Sequence, residues 1–251
     1  MSGGRLHIVG LGPGDDAWIT PEASAALAEA QDVIGYEPYV ARVPLRAGQT
    51  RHASDNRVEI DRARHALQLA ASGRVVAVVS GGDPGVFAMA SAVFEAVDHG
   101  EPAWRDLDIR VAPGVSAMQA AAARLGAPLG HDFCVISLSD NLKSWETIEK
   151  RLTHAARGDF VIALYNPASR ARPARIHDAF ALLRKELPPQ TVIVFAKAVG
   201  RAAEEVIIAP LDAADASLVD MSTLVIIGAA GTRLIARDHA RPWVYSSRKA
   251  P

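Results

Sequence analysis

The sequence predicts an α/β protein of two domains, and three observations carry that prediction. Short apolar runs that end in glycine or proline turns alternate with alanine-rich segments of helical period, the pattern of strands joined by crossover helices. Two of those runs end in glycine clusters, at 10–15 and 80–85, where a backbone must approach something closely. After Pro113-Gly114 the alternation changes, and strands follow one another with few helices between them. A chain of 251 residues, 49% hydrophobic, has material for one large or two modest cores without disulfide staples.

The elements follow in order. Residues 6–9 read as a strand; Thr20, Pro21 and Glu22 then supply an N-cap, a proline at the first helical position and an early acid for a helix reaching 30. Residues 33–34 form a short second strand, followed by a polar stretch. Asp55 or Asn56 caps a helix through 71 that stops at Ser72-Gly73, before a buried strand at 75–80. A helix at 86–97 ends near Gly100, and 109–112 is one more strand. The alanine-rich run to Leu125 then leads into a second unit. Its strands are expected at 133–137, 160–165, 191–196, 206–209 and 224–228, with helices at 145–156 and 175–187. Strands so closely spaced favour a mixed or antiparallel sheet. The expected domains are therefore 1–114 and 115–236, with 237–251 as a frayed, polar, basic tail.

Composition excludes several classes of function. A net charge of −1 with no block of like charges argues against nucleic acid or an anionic membrane as a global partner. The longest uncharged stretch, 111–123, is shorter than the roughly 18 residues a membrane span needs. The N-terminus lacks the pattern of a signal peptide, so a cytoplasmic protein is expected. Cys134 is the single cysteine, inside an apolar strand and without a CxxC partner. The eight histidines show no metal-ligand spacing, and no GxSxG elbow is present. No metal and no covalent nucleophile are expected; His65 and His177 read as helix-surface positions.

Chemistry concentrates at the strand ends. Gly10-Leu11-Gly12-Pro13-Gly14-Asp15 follows a strand and precedes a helix. A dinucleotide motif would need a third glycine where this chain has Asp15, whose charge opposes a pyrophosphate. Ser80-Gly81-Gly82-Asp83-Pro84-Gly85 ends another strand, and Asp83 is suited to accept hydrogen bonds from ribose hydroxyls or an ammonium group. Two such loops in one half point to one crevice at the carboxyl ends of the strands. Ser116 in Pro113-Gly114-Val115-Ser116-Ala117 reads as a helix cap that can also offer its hydroxyl. The segments Leu164-Tyr165-Asn166-Pro167 and Ser222-Thr223, the latter leading to Gly228, are weaker signals. Arginine outnumbers lysine 22 to 5, and two clusters fall in polar loops: Arg42, Arg46, Arg51 and Arg57, then Arg170, Arg172 and Arg175. Guanidinium groups pair bidentately with carboxylates, so such loops suit a ligand with several acid groups.

Taken together in this order, GLGPGDD, SGGDPGVF, PGVSA, LYNP and STLVIIG resemble the tetrapyrrole methyltransferases, over residues 5–235. The resemblance implies two α/β domains of the tetrapyrrole methylase type, with S-adenosylmethionine folded in the interdomain cleft and leaving as S-adenosylhomocysteine, and a homodimer. Carried over by position, Pro13, Gly81, Gly82, Asp83, Val86, Ser116, Ala117, Asn166 and Gly228 would bind that cofactor. Many relatives carry a bulky apolar residue where this chain has Asn166. The segments GYEPY at 35–39, SDNRVEIDRA at 54–63 and LYNPASRAR at 164–172 are similar to the members that methylate carbon 17 of precorrin-3B. Those members also contract the macrocycle, giving precorrin-4 in cobalamin biosynthesis. Loss of the carbon-20 hydroxyl proton during contraction benefits from a general base, for which Asp15 and His52 are the candidates. Gly12, Tyr36, Arg51, Arg57 and Arg170 would hold the tetrapyrrole substrate and its acid arms. The alternatives are the same chemistry on a cobalt-loaded substrate, methylation at a different ring carbon, a nicotinamide oxidoreductase, and a non-catalytic tetrapyrrole-binding protein.

Overall fold

The computed structural model describes residues 4–55, 58–168 and 174–249. The chain splits into two compact units, Met1–Ser116 and Ala117–Pro251, so the division falls two residues beyond the expected boundary.

The first unit is a five-stranded, all-parallel sheet in the order β3-β2-β4-β1-β5. Its strands are β1 (Arg5–Gly10), β2 (Asp32–Tyr36), β3 (Thr50–Ser54), β4 (Val75–Ser80) and β5 (Asp108–Ala112). The crossover helices are α1 (Pro21–Glu29), α2 (Glu37–Val40), α3 (Glu59–Ala71) and α4 (Met89–His99). The central strands are apolar along their whole length because both faces are covered. Leu6, Ile8, Val76 and Val78 pack under α3 and α4. Val9, Val33, Ala77 and Val79 pack on the other face with Ala23 and Leu27 of α1. As expected, Thr20 caps α1, its Oγ1 accepting from the Ala23 N–H, with Pro21 inside the first turn.

Two expectations for this unit need correction. The polar stretch after β2 contains the edge strand β3, whose residues Thr-Arg-His-Ala-Ser are half exposed and carry no apolar alternation. Helix α3 starts after Val58, which makes no side-chain cap bond, and not directly after Asp55; Asn56 lies outside the described residues.

The second unit is mixed, as the crowding of strands implied. Its main sheet runs β10-β9-β11-β8-β7. The strands are β7 (Phe133–Ser137), β8 (Val161–Tyr165), β9 (Val192–Lys197), β10 (Glu205–Pro210) and β11 (Thr223–Ile227). Only β7 and β8 are parallel; the other pairs are antiparallel. Helices α6 (Trp145–Arg157) and α7 (Arg175–Glu186) cover one face over Ile162, Leu164, Phe195 and Val225. Helix α5 (Ala117–Leu125) packs against β11. The expected frayed tail is instead structural. Strand β13 (Trp243–Ser246) pairs with β12 (Thr232–Ile235) and with β6 (Gly126–Ala127) in a three-stranded sheet. Val244 and Ser246 are buried, and the Ser246 hydroxyl donates to the Pro128 carbonyl at 2.6 Å. A strand of two buried and two exposed residues in basic surroundings gives too short an alternation to read.

On the α1 side of β1, His7 is buried, with Nε2 3.4 Å from Glu29. Burial pushes its imidazole below the ordinary histidine value, outweighing Glu29, and Arg5 and Arg110 add to the depression. The folded chain thus binds this proton less readily than the unfolded chain. The stability it contributes is complete above the unfolded value of about 6.5 and is lost as the pH falls below it. Replacing His7 by Gln should flatten the decline in unfolding free energy between about pH 7.5 and 5.5, read by urea titration; an unchanged slope would exclude His7 as its source.

Candidate functional site

In a parallel sheet every strand ends on the same edge, and in the first unit three loops leave that edge beside one another. The loops after β1 and β4 are locked by main chain, and the loop after β5 packs against both. Gly12 and Gly82 exchange hydrogen bonds, at 3.1 and 2.9 Å, and the Leu11 N–H donates to the Ser80 carbonyl. A side chain at Gly114 would lie 2.3 Å from the Gly82 carbonyl oxygen and 2.9 Å from Gly10 Cα. Gly10 and Gly114 are therefore required by contact between loops, before any ligand is considered. Gly81 is constrained differently: a Cβ there would strike the Tyr39 ring at 2.7 Å. Tyr39 packs edge-on against Tyr36, at the end of β2.

Asp83 ties the second loop to the third. One carboxylate oxygen accepts from the Gly85 N–H at 2.8 Å and the other from the Gly114 N–H at 3.1 Å. Each oxygen keeps a further lone pair for a ligand hydroxyl or ammonium. The Thr20 hydroxyl donates to the Pro113 carbonyl, joining the end of the first loop to the third. Pro13 is buried, and Val86 is half-buried with its N–H on the Asp83 carbonyl. Phe87 next to it is half exposed and has a φ of 52°, a backbone region that is costly for a bulky residue and concentrated at ligand sites. Nothing in the residue type signals it.

The candidate bases part company. Asp15 is exposed, and its Oδ1 caps the short turn 16–18 by accepting from the Ala17 N–H, which leaves Oδ2 open to solvent. His52 is drawn away from the loops. Its Nε2 is 2.9 Å from Oδ1 of Asp32, and the other oxygen of Asp32 accepts from Arg74. Asp32 opens β2, about 13 Å from the carboxyl edge at 3.3 Å per residue. The Asp32 carboxyl is held below the ordinary range: burial raises it, but Arg74 and His52 together outweigh burial.

The arginines mostly hold the chain itself. Arg51 donates to the Val40 and Val43 carbonyls, Arg42 to carbonyls of the first glycine loop, and Arg175 pairs with Asp140 and Asp178 over the Trp145 ring. Arg62, missed by sequence reasoning, is buried; it donates to the Ser54 hydroxyl and Asp55 carbonyl and touches the Met89 sulfur. It thereby folds the end of β3 toward the start of α4. Arg57, Arg170 and Arg172 lie outside the described residues.

In the second unit β7, β8 and β9 end on one edge, where β11 begins. Asn166, just past β8, has a φ of 51° and donates from Nδ2 to the buried Ser137 hydroxyl at 3.0 Å. Ala198, just past β9, has a φ of 49°, the second non-glycine residue of left-handed backbone on this edge. Helix α5 joins it through the Met118 N–H, which donates to the Tyr165 hydroxyl at 3.0 Å, so Ala117 belongs to this edge and the buried Ser116 immediately precedes it. Lys197 pairs with Asp220 at 2.7 Å. Although burial raises the Asp220 carboxyl, Lys197, Ser222 and Thr223 together hold it far below the ordinary range. Gly228 is not at this edge. Ile227 pairs with Ile162 near the start of β8, so Gly228 lies about 16 Å along the strands from Asn166. Its lack of a side chain is explained by Thr232, which a Cβ would meet at 2.9 Å. Ala198, and not Gly228, lies at the edge that carries Asn166.

Among the described residues no group of three or more His, Cys, Asp or Glu side chains is arranged to hold a metal ion, and no helix is long and apolar enough to cross a membrane.

The sequence profile of the Tetrapyrrole (Corrin/Porphyrin) Methylases matches residues 5–215. The chain is 54% identical over 245 residues to the precorrin-3B C(17)-methyltransferase of Sinorhizobium sp, covering 98% of this chain and 96% of that protein. It is 42% identical over 224 residues to the probable cobalt-factor III C(17)-methyltransferase of Salmonella typhimurium, covering 89% and 92% of the two chains. The crystal structure of the methyltransferase CobJ is similar with a TM-score of 0.92 and 53% identity, over 97% of this chain and 100% of that one.

Changing Gly114 to Ala should cost about 3 kcal/mol or prevent folding, because the displaced neighbours are backbone atoms. Gly48→Ala should cost about 1 kcal/mol, the penalty of left-handed backbone alone, since φ there is +82° with open space around the new methyl. Equal losses in chemical denaturation would contradict the locking of the three loops.

Proposed function

The chain belongs to the tetrapyrrole (corrin/porphyrin) methylase family, and from that membership we propose that it methylates carbon 17 of precorrin-3B from S-adenosylmethionine and contracts the macrocycle, giving precorrin-4 in cobalamin biosynthesis. The observation that carries the reading is the near full-length similarity to the Sinorhizobium enzyme, which exceeds that to the Salmonella protein named for the cobalt-loaded substrate.

The donor set suits the methyl donor. Asp83, fixed by two main-chain N–H groups with lone pairs to spare, would accept from ribose hydroxyls or the ammonium group. Pro13, Gly81, Gly82 and Val86 would line the same loops. Ser116, Ala117 and Asn166 would contribute from the α5 and β8 ends, with Ala198 in place of Gly228. When bound, S-adenosylmethionine supplies an already activated methyl, so the chain's task at that step is orientation and exclusion of water, for which effective molarities reach roughly 10⁵ M or more.

For contraction, Asp15 would take the hydroxyl proton through Oδ2, Oδ1 being held by the Ala17 N–H. His52 is the second candidate; its Nε2 is 2.9 Å from Asp32 Oδ1, and it pairs with Ile34 in the middle of β2, short of the carboxyl edge. Gly12 and Tyr36 would contact the macrocycle, and Arg57 and Arg170 its acid arms; Arg51, with two carbonyls already on its guanidinium, would contribute charge. The enzyme would work in the cytoplasm as a homodimer.

Purified protein given precorrin-3B and methyl-labelled S-adenosylmethionine should form a pigment with one labelled methyl. NMR should place that methyl on carbon 17 of a contracted ring whose excluded carbon is retained as acetyl. Turnover of the cobalt complex alone would move the protein to the metal-loaded substrate, and cofactor binding without turnover of either would favour a carrier. Asp15→Asn should lower kcat about 100-fold or more with little change in S-adenosylmethionine affinity; an unchanged rate would remove Asp15 as the base.

A further inference from the structure

Arg42 follows α2 and is half-buried, and one nitrogen of its guanidinium reaches three carbonyl oxygens of the first glycine loop. Leu11 and Gly12 accept at 2.8 and 3.0 Å, and Gly14 accepts from the same nitrogen. No carboxylate takes part in these three bonds. A planar cation is spent on peptide groups of a loop whose other side is already fixed by Gly82 and Ser80. The orientation of consecutive peptides between Leu11 and Gly14 is thus set from both sides, and with it the direction in which Pro13, Gly14 and Asp15 face.

We propose that Arg42 is a positioning residue for the methyl-transfer and contraction reaction, holding the Leu11–Gly14 carbonyls so that Gly12, Pro13 and Asp15 meet their ligands in the productive geometry. This rests on the function proposed above. That nitrogen carries two protons, so three convergent carbonyls exceed what its N–H groups can bond singly, and the positive charge holds them together. A surface arginine gains as much from a single carboxylate, and an uncharged donor would serve a loop that only had to be closed. What the guanidinium adds is a rigid, permanently charged plane that draws several peptide dipoles to a common point.

The test uses the full chain with Arg42→Ala and Arg42→Lys. Arg42→Ala should lower kcat about 100-fold, the loss expected from a displacement of about 1 Å in a positioned group. Guanidinium ion at millimolar concentration should restore a large part of it. Arg42→Lys, a point charge without the fork, should fall between the parent and Arg42→Ala. Independently of turnover, the amide NMR signals of Gly12 and Gly14 should move in Arg42→Ala and return when guanidinium is added, a reversal that a general loss of stability would not give. Parent-like kcat in Arg42→Ala, or a loss that neither guanidinium nor lysine relieves while the amide signals stay in place, would overturn the proposal. Should Arg42→Ala fail to fold, Arg42→Lys with and without guanidinium carries the same comparison. If the parent itself binds no S-adenosylmethionine, the proposed function fails, and the amide signals still decide whether Arg42 orients the loop.

Discussion

Three strand ends of the first sheet come together because Gly10, Gly82 and Gly114 present bare backbone to one another. The contact is a short antiparallel bridge between two loops, Gly12 with Gly82, and the Gly114 N–H of the third loop joins it by donating to the Asp83 carboxylate. A parallel sheet sends its loops off one edge, but it does not by itself make them adhere, and apolar side chains at those positions would hold them several ångströms apart. Removing the side chains lets main-chain hydrogen bonds do the joining. That leaves the remaining peptide groups and the carboxylate lone pairs fixed in direction and near solvent. A site of this kind needs little rearrangement when a ligand arrives, which matters for a reaction whose catalysis is mainly orientation.

The second unit reaches a comparable result by topology. Because β7, β8 and β9 point the same way while β11 runs against them, the turns after β8 and β9 and the start of β11 share an edge, and the first turn of α5 is hydrogen-bonded to it through Tyr165. Asn166 and Ala198 both sit there with left-handed backbone, an arrangement a non-glycine residue keeps only when its surroundings over-determine it. The ion pair of Lys197 with Asp220, and that of Arg124 with Glu204, tie down the neighbouring loop from either side.

Much of this was legible in the sequence. The continuous apolar strands and the capped helix at Thr20 follow from period and punctuation, and the glycine clusters marked the correct strand ends. What stayed hidden has physical reasons. Strand β3 is a polar edge strand with no alternation to read, and β13 is four residues long. Gly228 was placed at the cofactor by the family resemblance, yet strand direction, which periodicity does not encode, puts it at the far edge of its sheet from Asn166. The arginines of the polar loops suit a ligand with acid groups, whereas Arg42 and Arg51 donate to the chain's own carbonyls, and Arg62, which no motif marks, donates to the Ser54 hydroxyl and Asp55 carbonyl; side-chain destinations of long polar residues depend on folds that bring distant segments together. The pairing of His52 with Asp32, twenty residues away, was hidden for the same reason. The family resemblance rested on the order of the glycine loops, and that order holds over nearly the whole chain.

We propose that the carboxyl-edge loops described for each unit contact the cofactor. Amide hydrogen exchange of the full chain with and without S-adenosylhomocysteine tests it most directly. Protection should rise in the segments 11–15, 81–88, 113–118, 137–138, 165–166 and 197–200, with Gly228 and the Asp32–His52 neighbourhood unchanged. Protection centred on Gly228, or on the amino ends of the first sheet, would contradict the account.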